Sequence, residues 1–162
     1  MKLLKLALIS VVVLFLLLTA IASLLPSNVR ISRAVNISAQ PAVIMEKIQR
    51  LDEWQQWNEY VKALPGATVA RDSIISENLG IHLIKQEPNY IHTQWLQKNG
   101  KAFEGVFNLL PREPVTVVQW YFNFSFKWYP WEKFSSIVYD KQLGPHMEQS
   151  LNNLKQLIEK AP

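Results

Sequence analysis

The spacing of apolar residues divides the chain into segments of different period. From Leu6 to Leu25 it reads LALISVVVLFLLLTAIASLL, without a charge and with only Ser10, Thr19 and Ser23 as polar breaks. At about 1.5 Å of rise per residue, a helix of this length crosses a hydrocarbon layer of about 30 Å. It has no polar face, unlike the core helix of a globular domain. The period then drops to two. In VRISRAVNIS, residues 29–38, Val29, Ile31, Val35 and Ile37 share one face, while Arg30, Asn36 and Ser38 share the other. That predicts a half-buried strand with Arg33 as a charged intruder on the apolar side. In SAQPAVIMEKIQRL, Ser38 can cap, Pro41 suits a first turn, and Val43, Ile44, Ile48 and Leu51 fall at helical spacing. LDEWQQWNEY follows, with Trp54 and Trp57 on one side of a helical turn. One indole is expected to wedge against the sheet edge and the other to be partly exposed, both for packing rather than ligand contact.

Beyond Pro65-Gly66 come five strand candidates: ATVARDSIIS, IHLIKQ, YIHTQWLQ, AFEGVFNLL and VTVVQWYFNFSF. Turn signals at Asn78 to Gly80, Glu87-Pro88-Asn89, Lys98-Asn99-Gly100 and Pro111 to Pro114 separate them. Connections this short predict an antiparallel meander. Met147, Leu151, Leu154 and Ile158 then step by four, three and four, the stripe of an amphipathic helix. Gly144-Pro145 either opens that helix or kinks a longer one beginning near Lys133. The predicted fold is α+β: a curved antiparallel sheet wrapped around a long C-terminal helix, preceded by an N-terminal transmembrane helix.

Charge adds a direction. Lys2 and Lys5 precede the apolar run and no acid lies near them, so the N-terminus is expected in the cytoplasm. The reading is a single-pass protein of the inner (cytoplasmic) membrane, with residues 1–27 as anchor and residues 28–162 as one extracytoplasmic domain. A signal peptide cleaved near Ala20-Ile21-Ala22 is the alternative for the first segment. The formal net charge is +4, of which Lys2 and Lys5 supply two, and no basic stripe occurs, so nucleic acid is not expected as a partner. The chain has no Cys, which excludes disulfides, thiolate nucleophiles, cysteine metal sites and lipoprotein acylation.

Three stretches carry a resemblance. VRISRAVNISAQPAVIMEKIQRLDEWQQWNEYV resembles the opening of the SRPBCC superfamily, whose members are START-like and polyketide cyclase/dehydratase-like. LGPHMEQSLNNLKQLIEK is similar to its C-terminal helix, and FEGVFNLLPREPVTVVQW to its late strands. The segment from Leu64 to Gly80 is shorter and less glycine-rich than the family pattern. Membrane-anchored bacterial members share this layout. The resemblance implies a helix-grip fold with a cavity between sheet and helix, and binding of a hydrophobic or lipid-like small molecule.

From Thr116 to Phe126 one strand face carries Thr116, Val118, Trp120, Phe122, Phe124 and Phe126. Burying each large ring stabilises by roughly 1.5–3 kcal/mol, so this face turns inward. The expected cavity lining is Trp95, Phe103, Phe107, Val118, Trp120, Phe122, Phe124, Met147, Leu151 and Leu154, although the same residues would also form a solid core. His92, Gln94, Tyr121 and Asn123 are candidates for orienting a ligand. His82 and His92 would face each other if the hairpin turned about Glu87-Pro88, but no third metal ligand accompanies them. No Gly-rich phosphate loop, G-x-S-x-G or helical His pair occurs, so neither cofactor nor metal is expected and no catalytic residue is assigned. Lys127-Trp128-Tyr129-Pro130-Trp131-Glu132-Lys133-Phe134 mixes lysine with aromatics in a manner suited to a membrane–water interface. The partners expected are membrane lipid, through the N-terminal helix, and a hydrophobic ligand bound without catalysis. An enzyme of the cyclase/dehydratase type using the same cavity, or an envelope protein-interaction module with a filled core, are the alternatives. No motif specifies the ligand or an oligomeric state.

Overall fold

Two surfaces need cover: the aromatic face of the meander and the apolar stripe of the C-terminal helix. The computed structural model describes residues 2–160, apart from the side chains of residues 135–137. In chain order the elements are α1 (Lys2–Ser23), β1 (Asn28–Ile37), α2 (Pro41–Ile48), a 3-10 turn (Leu51–Gln56), α3 (Glu59–Lys62), β2 (Thr68–Val69), β3 (Ser73–Ile75), β4 (Leu79–Glu87), β5 (Tyr90–Gln97), β6 (Ala102–Arg112), β7 (Val115–Ser125) and α4 (Pro130–Glu159). The strands form one seven-stranded sheet in the order β1-β7-β6-β5-β4-β3-β2, with every neighbouring pair antiparallel. One face of the sheet holds α4, which crosses β1, while α2, α3 and the 3-10 turn close the remaining side.

The sequence expectation of one strand over residues 67–76 differs from what forms. Polar, exposed Arg71 and Asp72 interrupt the alternation, and the segment folds back as β2 and β3 around them. The Ala70 N–H donates to the Ser73 carbonyl at 2.8 Å, and the Arg71 carbonyl accepts from Leu51 N at 2.9 Å. Trp54 and Trp57 also differ from expectation, since both are fully buried. A 3-10 turn brings side chains three apart nearly into line. The two rings therefore enter the core together, with centroids 5.3 Å apart.

Gly144-Pro145 lies inside a continuous α4, which begins upstream at Pro130. The intruding Arg33 explains the glycine. Its guanidinium reaches across to α4, where Nε meets Glu148 at 2.7 Å and Nη2 meets Asp140 at 3.0 Å. It lies directly over Gly144, where a Cβ would collide with it. α3 is tied to the same helix further on. Ser150 Oγ accepts from Glu59 N at 2.9 Å, and Asn153 Nδ2 donates to a Glu59 carboxylate oxygen at 2.6 Å. Lys62 beside it, and then Asn153, hold the Glu59 carboxyl below the usual carboxylate range.

α1 is long and apolar enough to span a membrane. It is joined to the domain without slack. Ala22 is fully buried, α1 packs on α4, and the Lys133 ammonium donates to the Leu25 carbonyl at 2.8 Å and to Ser27 Oγ at 2.7 Å.

The two crowded glycines should respond differently to alanine. At Gly105 a Cβ would lie 2.6 Å from Trp95 Nε1, 2.9 Å from Thr93 Oγ1 and 3.0 Å from the Phe122 ring, none of which can retreat from a packed core. Gly105→Ala is therefore expected to cost about 1–3 kcal/mol. Gly144→Ala displaces only the Arg33 guanidinium from partners that are mostly exposed, a loss of about 0–1 kcal/mol, while the usual helix-propensity gain of about 1 kcal/mol is offset by crowding of the new Cβ against Pro145. Denaturant unfolding of the full chain in mild detergent is expected to separate the two, with Gly144→Ala near neutral.

Candidate functional site

All ten residues expected to line a cavity meet on the inner side of the sheet. Trp95, Phe107, Val118, Trp120, Phe122, Met147, Leu151 and Leu154 are 0–1% exposed, Phe124 is 7% exposed and Phe103 is half-buried. Their rings touch. Phe107 stacks on Trp120 with centroids 4.8 Å apart, Trp95 meets Phe122 at 5.0 Å, and Trp57 and Tyr60 lean edge-on against Trp120. The centre of the grip is thus closely packed with aromatic side chains.

Space appears where this packing ends. A cleft of about 310 Å³ lies between the β5–β6 turn, the end of β7 and the first half of α4. Phe103, Phe124, Phe126 and Tyr139 form its apolar wall, and Lys101, Lys127 and Glu132 its rim. Phe103 and Phe124 pack at 4.8 Å, while Tyr139 stands edge-on to Phe124 at 5.1 Å. Across the mouth, Lys101 Nζ approaches Glu132 Oε1 at 3.7 Å, and Glu132 Oε2 accepts from the Lys127 backbone N–H at 2.8 Å. A wider depression of about 670 Å³ opens at the far end of the sheet, among the Pro41, Pro88, Pro111 and Pro114 turns. It contains none of the ten residues and brings no cluster of ionisable side chains together, so the smaller cleft is the stronger candidate.

Two of the ten residues, Phe103 and Phe124, reach that cleft, and the other eight belong to the packed interior. Phe126 and Tyr139 complete the wall. Phe126 was visible as the last aromatic of the inward row. Tyr139 was not, because it precedes Gly144-Pro145, where the helix start was ambiguous.

The four polar candidates lie elsewhere. His92, Gln94, Tyr121 and Asn123 alternate with the buried residues of β5 and β7, so they occupy the outer face of the sheet. There Arg30 sits over the Tyr121 ring at 4.2 Å and donates to Asn123 Oδ1 at 2.9 Å, while His92 Nε2 stands 3.8 Å from Glu104. His82 and His92 do not oppose each other. The hairpin turns at Pro88-Asn89 and carries a register shift between Leu83 and Lys85, so His82 pairs with Gln94 and His92 with Lys85. Among the described residues no group of three His, Cys, Asp or Glu side chains is placed to hold a metal.

Polar groups inside the grip are few. Tyr60 donates its O–H to the Leu143 carbonyl at 2.8 Å, and burial pushes its hydroxyl well above the usual phenol range, leaving a neutral donor. Trp54 Nε1 donates to the Ile48 carbonyl at 2.8 Å and Trp95 Nε1 to Thr93 Oγ1 at 3.0 Å. Among the described residues, the indole N–H groups of Trp57 and Trp120 are buried without an acceptor.

No protein-family model and no curated protein matches the chain. Solved structures do. A START superfamily protein from Mycobacterium smegmatis superposes with a TM-score of 0.59 at 17% identity, covering 81% of this chain and 97% of that one. CalU16 from Micromonospora echinospora gives 0.59 at 14% identity, covering 82% and 76%. The di-domain ARO/CYC StfQ from the steffimycin biosynthetic pathway gives 0.60 at 11% identity; 82% of this chain spans 51% of that one. The chain has the SRPBCC-type, START-like helix-grip fold, shared with polyketide cyclase-like proteins.

The indoles give a direct test of which core polar groups contribute to stability. Trp54→Phe and Trp57→Phe remove the same volume from fully buried sites, but only the first leaves a buried backbone carbonyl without its donor. Trp54→Phe is expected to cost about 1 kcal/mol more in denaturant unfolding. A reversed order would show that Trp57 Nε1 has an acceptor such as bound water.

Proposed function

We propose that this is a membrane-anchored domain that binds the apolar part of a hydrophobic or lipid-like molecule, without catalysis, in the cleft between β6, β7 and α4. The observation that carries the reading is the composition of that cleft: four aromatic side chains line a space of about 310 Å³, within the lower range of small-molecule sites. Binding would work by desolvation. Apolar surface removed from water gains roughly 25 cal/mol per Å², and the rim residues would orient whatever polar end protrudes. The carboxylate at the mouth, Glu132, is held by Lys101 and by the Lys127 backbone N–H. The START-like fold and the apolar α1 agree with this reading; in it, α1 spans the cytoplasmic membrane and the domain lies on its outer side. The filled centre favours a second reading, an envelope protein-interaction module.

Photocrosslinking separates the two. The full-length protein in vesicles containing a lipid with a diazirine on its acyl chain is expected to yield adducts on the Phe103, Phe124–Phe126 and Tyr139 peptides. Gln97→Trp, which shares the inward parity of Trp95 and fills the cleft from a half-buried position on its lining, should lower those adducts about tenfold, equivalent to about 1.4 kcal/mol, and leave adducts on α1 unchanged. Adducts confined to α1 would refute lipid binding in the cleft.

A further inference from the structure

Four of the six tryptophans, Trp54, Trp57, Trp95 and Trp120, are at most 1% exposed. Trp128 and Trp131 are 64% and 63% exposed. They stand side by side at the β7–α4 junction. Tyr129 stacks on Trp131, with centroids 4.9 Å apart and planes 6° apart, and lies 4.8 Å from Trp128. The three rings form a preassembled wedge directed away from the core, in a chain that otherwise hides its indoles. An exposed aromatic cluster of this kind marks a binding surface.

Its position identifies the partner. Two residues beyond Trp131, the buried Lys133 grips Leu25 and Ser27 at the exit of α1. On the other side of the wedge, Phe126 N donates to the Ser27 carbonyl at 2.7 Å. Both flanks of the wedge are thus fastened to the residues that follow the apolar helix. α1 has 22 residues, about 33 Å at the helical rise, against a hydrocarbon thickness of about 30 Å. When Lys2 lies at one surface of the bilayer, Ser23 to Ser27 lie at the other. The wedge is held at that level, where Trp and Tyr are favoured because their rings are apolar and their N–H and O–H groups reach water. Lys127 and Lys101, both exposed beside the wedge, supply the positive charge that suits anionic headgroups.

The same loop borders the cleft. Lys127 and Glu132, immediately before and after the wedge, are both rim residues. We infer that Trp128, Tyr129 and Trp131 insert into the interfacial layer of the leaflet that α1 exits, as a second membrane contact that turns the mouth of the cleft onto the bilayer. A molecule bound there enters laterally from the leaflet and does not cross water. This rests on α1 spanning the bilayer, and it concerns the docking face, so it stands or falls separately from occupancy of the cleft.

Fluorescence tests it, because the core indoles are out of reach of both lipid and aqueous quenchers. The full-length protein is reconstituted in phosphatidylcholine–phosphatidylglycerol vesicles, with and without lipid brominated on the upper acyl chain. Strong quenching by brominated lipid is expected, with most of it lost in Trp128→Phe/Trp131→Phe and a partial loss in Trp131→Phe alone. An unchanged near-ultraviolet dichroism of the core confirms that the variants fold. Quenching by aqueous iodide instead of brominated lipid, with the protein retained in carbonate-washed vesicles, overturns the wedge and leaves a protein partner as its occupant. Loss of the protein from washed vesicles overturns the spanning reading beneath it.

Discussion

The inward row of β7 cannot be left in water. Val118, Trp120, Phe122 and Phe124 follow one another on one side of β7, Phe126 continues the row just past its end, and each ring needs partners on three sides. A flat sheet supplies only its two neighbouring strands. The sheet therefore curves, β6 contributes Phe107 to stack on Trp120, β5 contributes Trp95, and the 3-10 turn and α3 bring in Trp57 and Tyr60 from the side. α4 closes the top with Met147, Leu151 and Leu154. Gly105 belongs to the same constraint, since the Trp95 indole occupies the place of its missing side chain. The cleft is a by-product. The aromatic row extends further along β7 than the stripe of α4 covers, and at Phe124 and Phe126 the helix offers Tyr139 rather than another close-packed layer.

Where the sequence was legible, a single period governed the segment. Large apolar residues recur on one parity of β5, β6 and β7, and the Leu-x-x-Leu stripe of α4 repeats at helical spacing, so the architecture and the membership of the inner face could be read from side-chain parity, although outward Val106 and Tyr121 are buried as well. Parity also placed Tyr121 and Asn123 on the outer face, against their assignment as ligand-orienting groups. Features that depend on two distant segments were not legible. Proline at position 145 reads equally well as a helix start or an interior kink, and Gly144 becomes intelligible only once Arg33, more than a hundred residues earlier, is seen to lie over it. The register of β4 and β5 turned on a bulge that no residue type announces. The Lys101–Glu132 pair and the placement of Tyr139 opposite Phe124 are likewise properties of the closed fold.

The comparisons fix the fold and leave function to the site, because one framework can carry unrelated activities. The site offers an aromatic wall on one side and, at its rim, Lys101 paired with Glu132 beside Lys127. The short connection from α1, fastened by Lys133, makes the orientation of the cleft part of the same question.

The pairing of β1 with β7 has a kinetic consequence. Asn28 lies opposite Ser125 and Ile37 opposite Thr116, so the first strand is hydrogen-bonded to the last. Closing a loop of that length precedes any gain from the contacts it permits, and folds dominated by such distant pairings form slowly. β1 has no β7 to pair with until nearly the whole domain has been made, and α4 comes later still. If α1 is already inserted by then, the unfinished meander waits beside the bilayer with its edge strand unpaired. Its only close surface is the lipid, and the rings that will form the core are those with most affinity for it. Maturation of the domain would then begin as a competition between the membrane and α4 for the same aromatic face.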